Sequence, residues 1–439
     1  MTANVTAIRT EAETALLDMF EAHRASLPGS SDTRKAAIEL FARTGLPHRR
    51  IESWHYTDLR AAMRSAAPVR APDSAPVDVP RDALTEGARL VVLDGVFRAD
   101  LSDMAKLPGG VRVTSLAAAY AKDAALATLP ARFTGEDDSV VALNSALAAD
   151  GVVIDIAAGM QVATPLVLIV ASRGGRAQGT FTRSLLKIGE GASVTLVEDC
   201  LSLHEGGTQT NDALVVSVAA GAKARHVARV NFAGDASIHL HSLIVTQAKD
   251  SAFDSFCLVT DGGLVRRQIF AGMKGEHATL SLSGLSLLDR TRLADTTLVV
   301  DHAVPHGTSR EFFRHILEGE STGVYQGKVI VRPHAQKTDG GMKSNALVLT
   351  EGASMNNKPE LEIFADDVVC GHGATVGQLD EDQLFYLMAR GIPRLEAESL
   401  LVEAFGAEAI EKIDDERLRD ALLADLGDWL RRRGGAHPR

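Results

Sequence analysis

Cys370 and His372, separated by Gly371, are the pair in this sequence best placed to do chemistry. If the residues around them form a strand, both side chains leave one face with Cα atoms about 6.5 Å apart. A thiolate and an imidazole so placed can share one iron ion or pass on a nascent cluster fragment. Read from the residues alone, a buried free thiol beside a hydrogen-bonded histidine is the alternative. A closed iron–sulfur site ordinarily takes four protein ligands. The cysteines here are Cys200, Cys257 and Cys370, far apart and without a Cys-x-x-Cys pair, so a site completed by a partner's ligands is easier to build than one closed within the chain.

The other candidates are weaker. His239 and His241 alternate, which puts both on one strand face, and a solvated outer surface of a sheet accounts for them. His302 and His306 are four apart, but the intervening Pro305 works against a helical metal pair. Neighbouring Asp366 and Asp367 point to opposite faces of a strand and read as turn or surface acids. Gly323-x-x-x-Gly327-Lys328-Val329 has the wrong spacing for a phosphate-binding loop and lacks the Ser or Thr that would hold Mg²⁺. Gly189-x-Gly191-x-x-Val194 lacks the third glycine of a dinucleotide turn. Neither segment therefore predicts a nucleotide site in this chain.

Around these residues stands a chain of 439 residues, 45% hydrophobic and 23% charged, long enough for two or three domains. Aromatics are 5%, so the core must be built from Val, Leu, Ile and Ala. A formal charge of −11 argues against nucleic acid as a sequence-independent partner. Arg431-Arg432-Arg433 reads as a charged helix end. No run approaches the roughly 20 apolar residues of a membrane span. The start, Met1-Thr2-Ala3-Asn4, carries no secretory pattern, and three scattered cysteines suit a reducing cytoplasm.

Helical periodicity opens and closes the sequence. Leu16, Leu17 and Phe20 share one face; Ile38 and Phe41 begin a second helix that stops at Gly45-Leu46-Pro47. Pro68, Pro72, Pro76 and Pro80 mark a linker or wrapped extended segment. From Leu84 the pattern becomes short aliphatic runs such as residues 90–93, 152–156, 166–170 and 194–197. Their turns recur at Gly159, Gly191, Gly221 and Ser251, intervals of 32, 30 and 30 residues. A fixed period of this size predicts a β-solenoid, each coil burying its apolar face on the next, with a large β-sandwich as the alternative. After Gly377 the helical period returns: Asp380 caps a run holding Leu384, Leu387 and Met388, followed by stripes at Leu400, Leu401, Ala404, Phe405 and at Leu418, Leu422, Leu426, Trp429. The expected order is helical cap, β body, helical cap, divided at 1–85, 86–377 and 378–439.

Two segments carry a resemblance. Gly45-Leu46-Pro47 leading to Glu52-x-Trp54-His55-Tyr56-Thr57 is similar to the N-terminal signature of the SufB/SufD family, with His55 where Lys or Arg is usual. Residues 327–391 resemble the SufD branch more closely, through Ala335-Gln336-Lys337-Thr338-Asp339, Pro359-x-Leu361-Glu362-Ile363 and Ala365-Asp366-Asp367-Val368-x-Cys370-x-His372-Gly373-Ala374-Thr375-Val376-Gly377. The SufB branch carries Glu-His-Glu-Ala where this chain has Cys370 to Ala374. The resemblance implies a mainly β protein, a right-handed parallel β-helix flanked by N- and C-terminal helical domains. It also implies a non-catalytic scaffold of iron–sulfur cluster assembly, pairing with a SufB-like scaffold and docking a SufC-like ATPase on the C-terminal helices. On that reading Cys370 and His372 serve iron or a nascent cluster at the partner interface, with no cofactor held stably by the isolated chain. Leu384, Leu400, Leu401 and Phe405 are the expected partner contacts, and a homodimer of the isolated chain stays open. A β-helix carbohydrate-active enzyme and a SufB-like self-pairing scaffold are the competing readings.

Overall fold

The computed structural model describes residues 9–69, 75–122, 132–133 and 136–435. Its body is a β-solenoid made of two long, mainly parallel sheets. One repeating register sets it. Ser193, Lys223, Ala252, Thr279, Thr308, Asp339 and Val369 lie in one row across the first sheet. Gly179, Gln209, Ile238, Leu264, Leu293, Thr322 and Ser354 form the matching row of the second. Val, Leu, Ile and Ala from the inward faces of both sheets fill the space between them.

The coils turn where the backbone enters the left-handed region. Gly159, Gly191 and Gly221 have φ of 71°, 63° and 65°, and Asp250, one residue before the expected Ser251, continues the column at 56°. Asp tolerates this conformation better than most side chains, which hides the repeat from a search for glycine. Ser251 takes instead the buried place that Ala192 and Ala222 hold in the preceding coils.

The helices flank the solenoid in the expected order along the chain, and they lie along its outer sheet faces. At the N-terminus, helices Glu11–His23 and Ser31–Thr44 pack with Ser139–Leu147 over the outer face of the second sheet, against Ile238, Leu240 and Leu264. The helical layer thus recruits a helix from inside the 86–377 segment. At the C-terminus, Arg394–Ile410 and Glu416–Gly435 lie along the outer face of the first sheet. Leu418, Leu422, Leu426 and Trp429 are all buried there with Val227, Phe256 and Leu285. An amphipathic stripe needs an apolar surface, and both outer sheet faces supply one. Arg433 closes this layer by an ion pair to Glu318 at 2.9 Å.

The Gly45–Thr57 signature is a clasp. Gly45 ends its helix at φ 68°, and a Cβ there would come within 2.6 Å of Glu13 Oε1. Glu13 accepts from Thr10 and Leu46 backbone amides at 2.7 and 2.9 Å. Trp54 packs flat on the buried Arg266, which is also held by Asp295, itself bonded by the Thr57 hydroxyl. Glu52 reaches Lys358 at 2.8 Å, tying the N-terminal layer to the last strand of the second sheet.

Candidate functional site at the open end of the solenoid

The last strands, Ser354–Ile363 and Val369–Gly377, have neighbours on one side only. Register fixes what the second of these presents. Cys370 pairs with Gly340, His372 with Met342 and Ala374 with Ser344, and all three partners are buried and inward-facing. Cys370 and His372 therefore share one face of the final coil, and that face is the lumen-facing one. Among the described residues no further coil covers them; His372 is exposed and Cys370 is half-buried.

Small residues shape this strand. A Cβ on Gly340 would lie 3.4 Å from Cys370 Sγ and 3.8 Å from Ser309 Oγ, which places the thiol in van der Waals reach of this position. Gly371, Gly373 and Gly377 would meet nothing within 4 Å if given a Cβ, which leaves the backbone open to close approach. Val369 is 73% exposed, and Val376 on the same strand and Ile363 and Phe364 at the end of the strand before it are exposed too. An apolar edge of unpaired strands is a template for another chain.

Burial pushes the Cys370 thiol above its ordinary range; the charges of Asp339 and Glu311 add to this, while the Gly340 amide and Arg310 oppose it. Glu311 lies in the His372 row, beyond Met342. It is 1% exposed, and burial raises its carboxyl to about 7. The Ser309 hydroxyl favours its ionised form and itself bonds His302 Nε2 at 3.1 Å. Among the described residues, no group of three or more His, Cys, Asp or Glu side chains is arranged to hold a metal ion.

The expected partner contacts divide. Leu384 is 1% exposed and belongs to the core side of its helix, Glu381–Ala389, so it is removed from the contact set. Leu401 and Phe405 are half-buried, Phe405 beneath the Arg314 guanidinium at 4.1 Å. Leu400 is exposed, as are Phe385, Tyr386 and Met388 on helix Glu381–Ala389 and Leu395 on helix Arg394–Ile410. Asp366 and Asp367 are indeed surface acids at a bend, Asp367 pairing with Lys337.

His239 and His241 are a correction: both are buried inside the solenoid and not on a solvated surface. Their parity turns them inward, where His241 Nε2 lies 3.2 Å and His226 Nε2 3.1 Å from Glu198 Oε2. Burial alone would raise Glu198, but the charge of His241 and hydrogen bonds from both imidazoles outweigh it and hold the carboxyl well below its usual range. Burial lowers His239 to about 3 and raises Asp212 to about 6. No short motif marks this group; only the inward parity of its strands brings it together.

The fold is a β-solenoid with helices towards both termini, and its open end bears an exposed histidine and a half-buried cysteine. Comparison with known proteins gives its kinship. Residues 10–168 match the SufBD protein N-terminal region, and residues 169–405 match the SufBD core domain of SUF-system FeS cluster assembly. The chain belongs to the SufBD family. It is 32% identical to the iron–sulfur cluster assembly protein SufD of Escherichia coli, over 90% of this chain and 91% of that protein. A SufBD family protein of Synechocystis is 28% identical over 91% and 92%, and SufD of Bacillus subtilis is 24% identical over 66% of each.

Proposed function

We propose that this chain is a SufD-type scaffold subunit that supports iron acquisition and nascent cluster assembly at an interface with a SufB-like partner. The observation that carries this reading is the placement of Cys370 and His372 on the uncovered inward face of the last coil. Two donors there form half of an ordinary four-ligand site. The unpaired strand edges beside them offer the backbone hydrogen bonds through which a related sheet could dock and bring the rest. Iron is cargo in this scheme, received and passed on.

ATP hydrolysis comes from a SufC-like subunit docked on the C-terminal helices, where Phe385, Tyr386, Leu395 and Leu400 expose apolar surface. The chain itself turns nothing over. No helix among the described residues is long and apolar enough to cross a membrane, and three separate free cysteines accord with work in the cytoplasm. Co-expression with SufB-like and SufC-like chains, followed by purification and iron and sulfide analysis, tests the proposal. A stable complex that acquires both elements supports it; a chain that binds neither partner overturns it.

A further inference from the structure

An unbroken polar row runs through the apolar lumen. In the second sheet, Asp212, His241, Arg267, Thr296, Tyr325 and Asn357 are successive register partners. They face inward, because Leu214, Leu243, Ile269 and Leu298, two residues further along the same strands, lie in the central core. Stacked strands stand about 4.8 Å apart, so each side chain lies one coil from the next. The inner end meets the Glu198–His226–His241 group. At the outer end Asn357 accepts from Ser344 Oγ at 2.6 Å, and Ser344 is the register partner of Ala374, two residues from His372.

Along this row hydrogen-bonding capacity is left over. Among the described residues, Asp212 Oδ2, His241 Nδ1, Arg267 Nε and Nη1, Tyr325 Oη and Asn357 Nδ2 lack a hydrogen-bond partner, Asp212 Oδ2 having only His239 Nδ1 at 3.6 Å. Glu311, across the lumen, is a further buried carboxyl. A buried polar atom left dry costs about 1–3 kcal/mol, and native proteins leave few of them. Internal water is the usual remedy, at about one molecule per 27 residues, or on the order of 16 for a chain of 439. Each such molecule needs two to four polar partners, which this row concentrates in one place.

We propose that the row binds a file of internal water running from the Glu198–His226–His241 group to the open end of the solenoid. The file keeps the lumen side of the last coil in proton contact with buried imidazole and carboxylate groups when a partner covers that end. It rests on register and burial, and it holds whether or not Cys370 and His372 receive iron.

The test is X-ray radiolytic labelling of the purified full chain with rapid mixing into heavy-oxygen water. Tyr325 and His241 become labelled, and heavy oxygen enters at Tyr325 at least about tenfold more slowly than at exposed Tyr386, as expected for exchange gated by local opening. Thr296→Val, which breaks the row with an isosteric apolar group, slows exchange at His241 further and leaves Tyr325 unchanged. Absence of label at both residues shows a dry lumen and overturns the proposal, as does exchange at Tyr325 as fast as at Tyr386. Unchanged exchange at His241 in the valine variant overturns the continuity of the file. If that variant does not fold, the wild-type rates decide.

Discussion

The Arg266 guanidinium lies against the indole of Trp54, its carbon 3.7 Å from the ring centroid, and both residues are buried. The contact joins the N-terminal signature to the middle of the solenoid, and Ser53 O accepts from Arg266 at 2.7 Å and from Gln326 at 3.1 Å. Trp54→Ala removes a buried aromatic and uncovers a charge, so unfolding free energy should fall by about 3–5 kcal/mol. Urea unfolding followed by circular dichroism measures it. A loss under about 1 kcal/mol would show that the signature is not a structural clasp.

Glu311 gives a pH dependence of definite sign. Its folded pKa of about 7 stands above the ordinary 4.5, so the folded state binds more protons than the unfolded state between those values. Unfolding free energy therefore falls as pH rises through that window, by on the order of 3 kcal/mol, and stays low above it. Glu311→Gln should flatten this slope and be more stable than wild type at pH 8, read from denaturant midpoints at several pH values. Parallel slopes for the two proteins would contradict the assignment.

The C-terminal helices are integral to the body, which changes how their docking role is tested. Deleting residues from Asp380 onward uncovers Val227, Phe256, Leu285 and Ile316 on the outer face of the first sheet, and aggregation should follow. Phe385→Asp avoids this, because Phe385 is 73% exposed. That variant should keep its far-ultraviolet spectrum and lose affinity for the ATPase subunit by at least about tenfold, as loss of a central aromatic anchor does. Wild-type affinity in a titration would remove this surface from the interface.

What the sequence made legible followed from periodicity. The strand alternation placed Cys370 and His372 on one face, and the 30-residue spacing from Gly191 to Gly221 marked the coil. Period counting could not say which side of a strand is lumen, because in a solenoid both faces are covered. Alternation alone therefore does not reveal that His239 and His241 face inward, nor that Leu384 is buried. The Glu198 group leaves no short motif, because its partners His226 and His241 lie 28 and 43 residues further along the chain.

The central claim concerns His372, and His372→Ala tests it most directly in the complex with the SufB-like and SufC-like chains. The imidazole is exposed, so folding and assembly should stay close to wild type. Two quantities are to be measured together: complex yield by size-exclusion chromatography, and iron and sulfide accumulated per complex with time. The account predicts normal assembly with a sharp fall in cluster formation, and Cys370→Ala with a similar or smaller fall. A His372→Ala complex that assembles and gains iron and sulfide at the wild-type rate would contradict it.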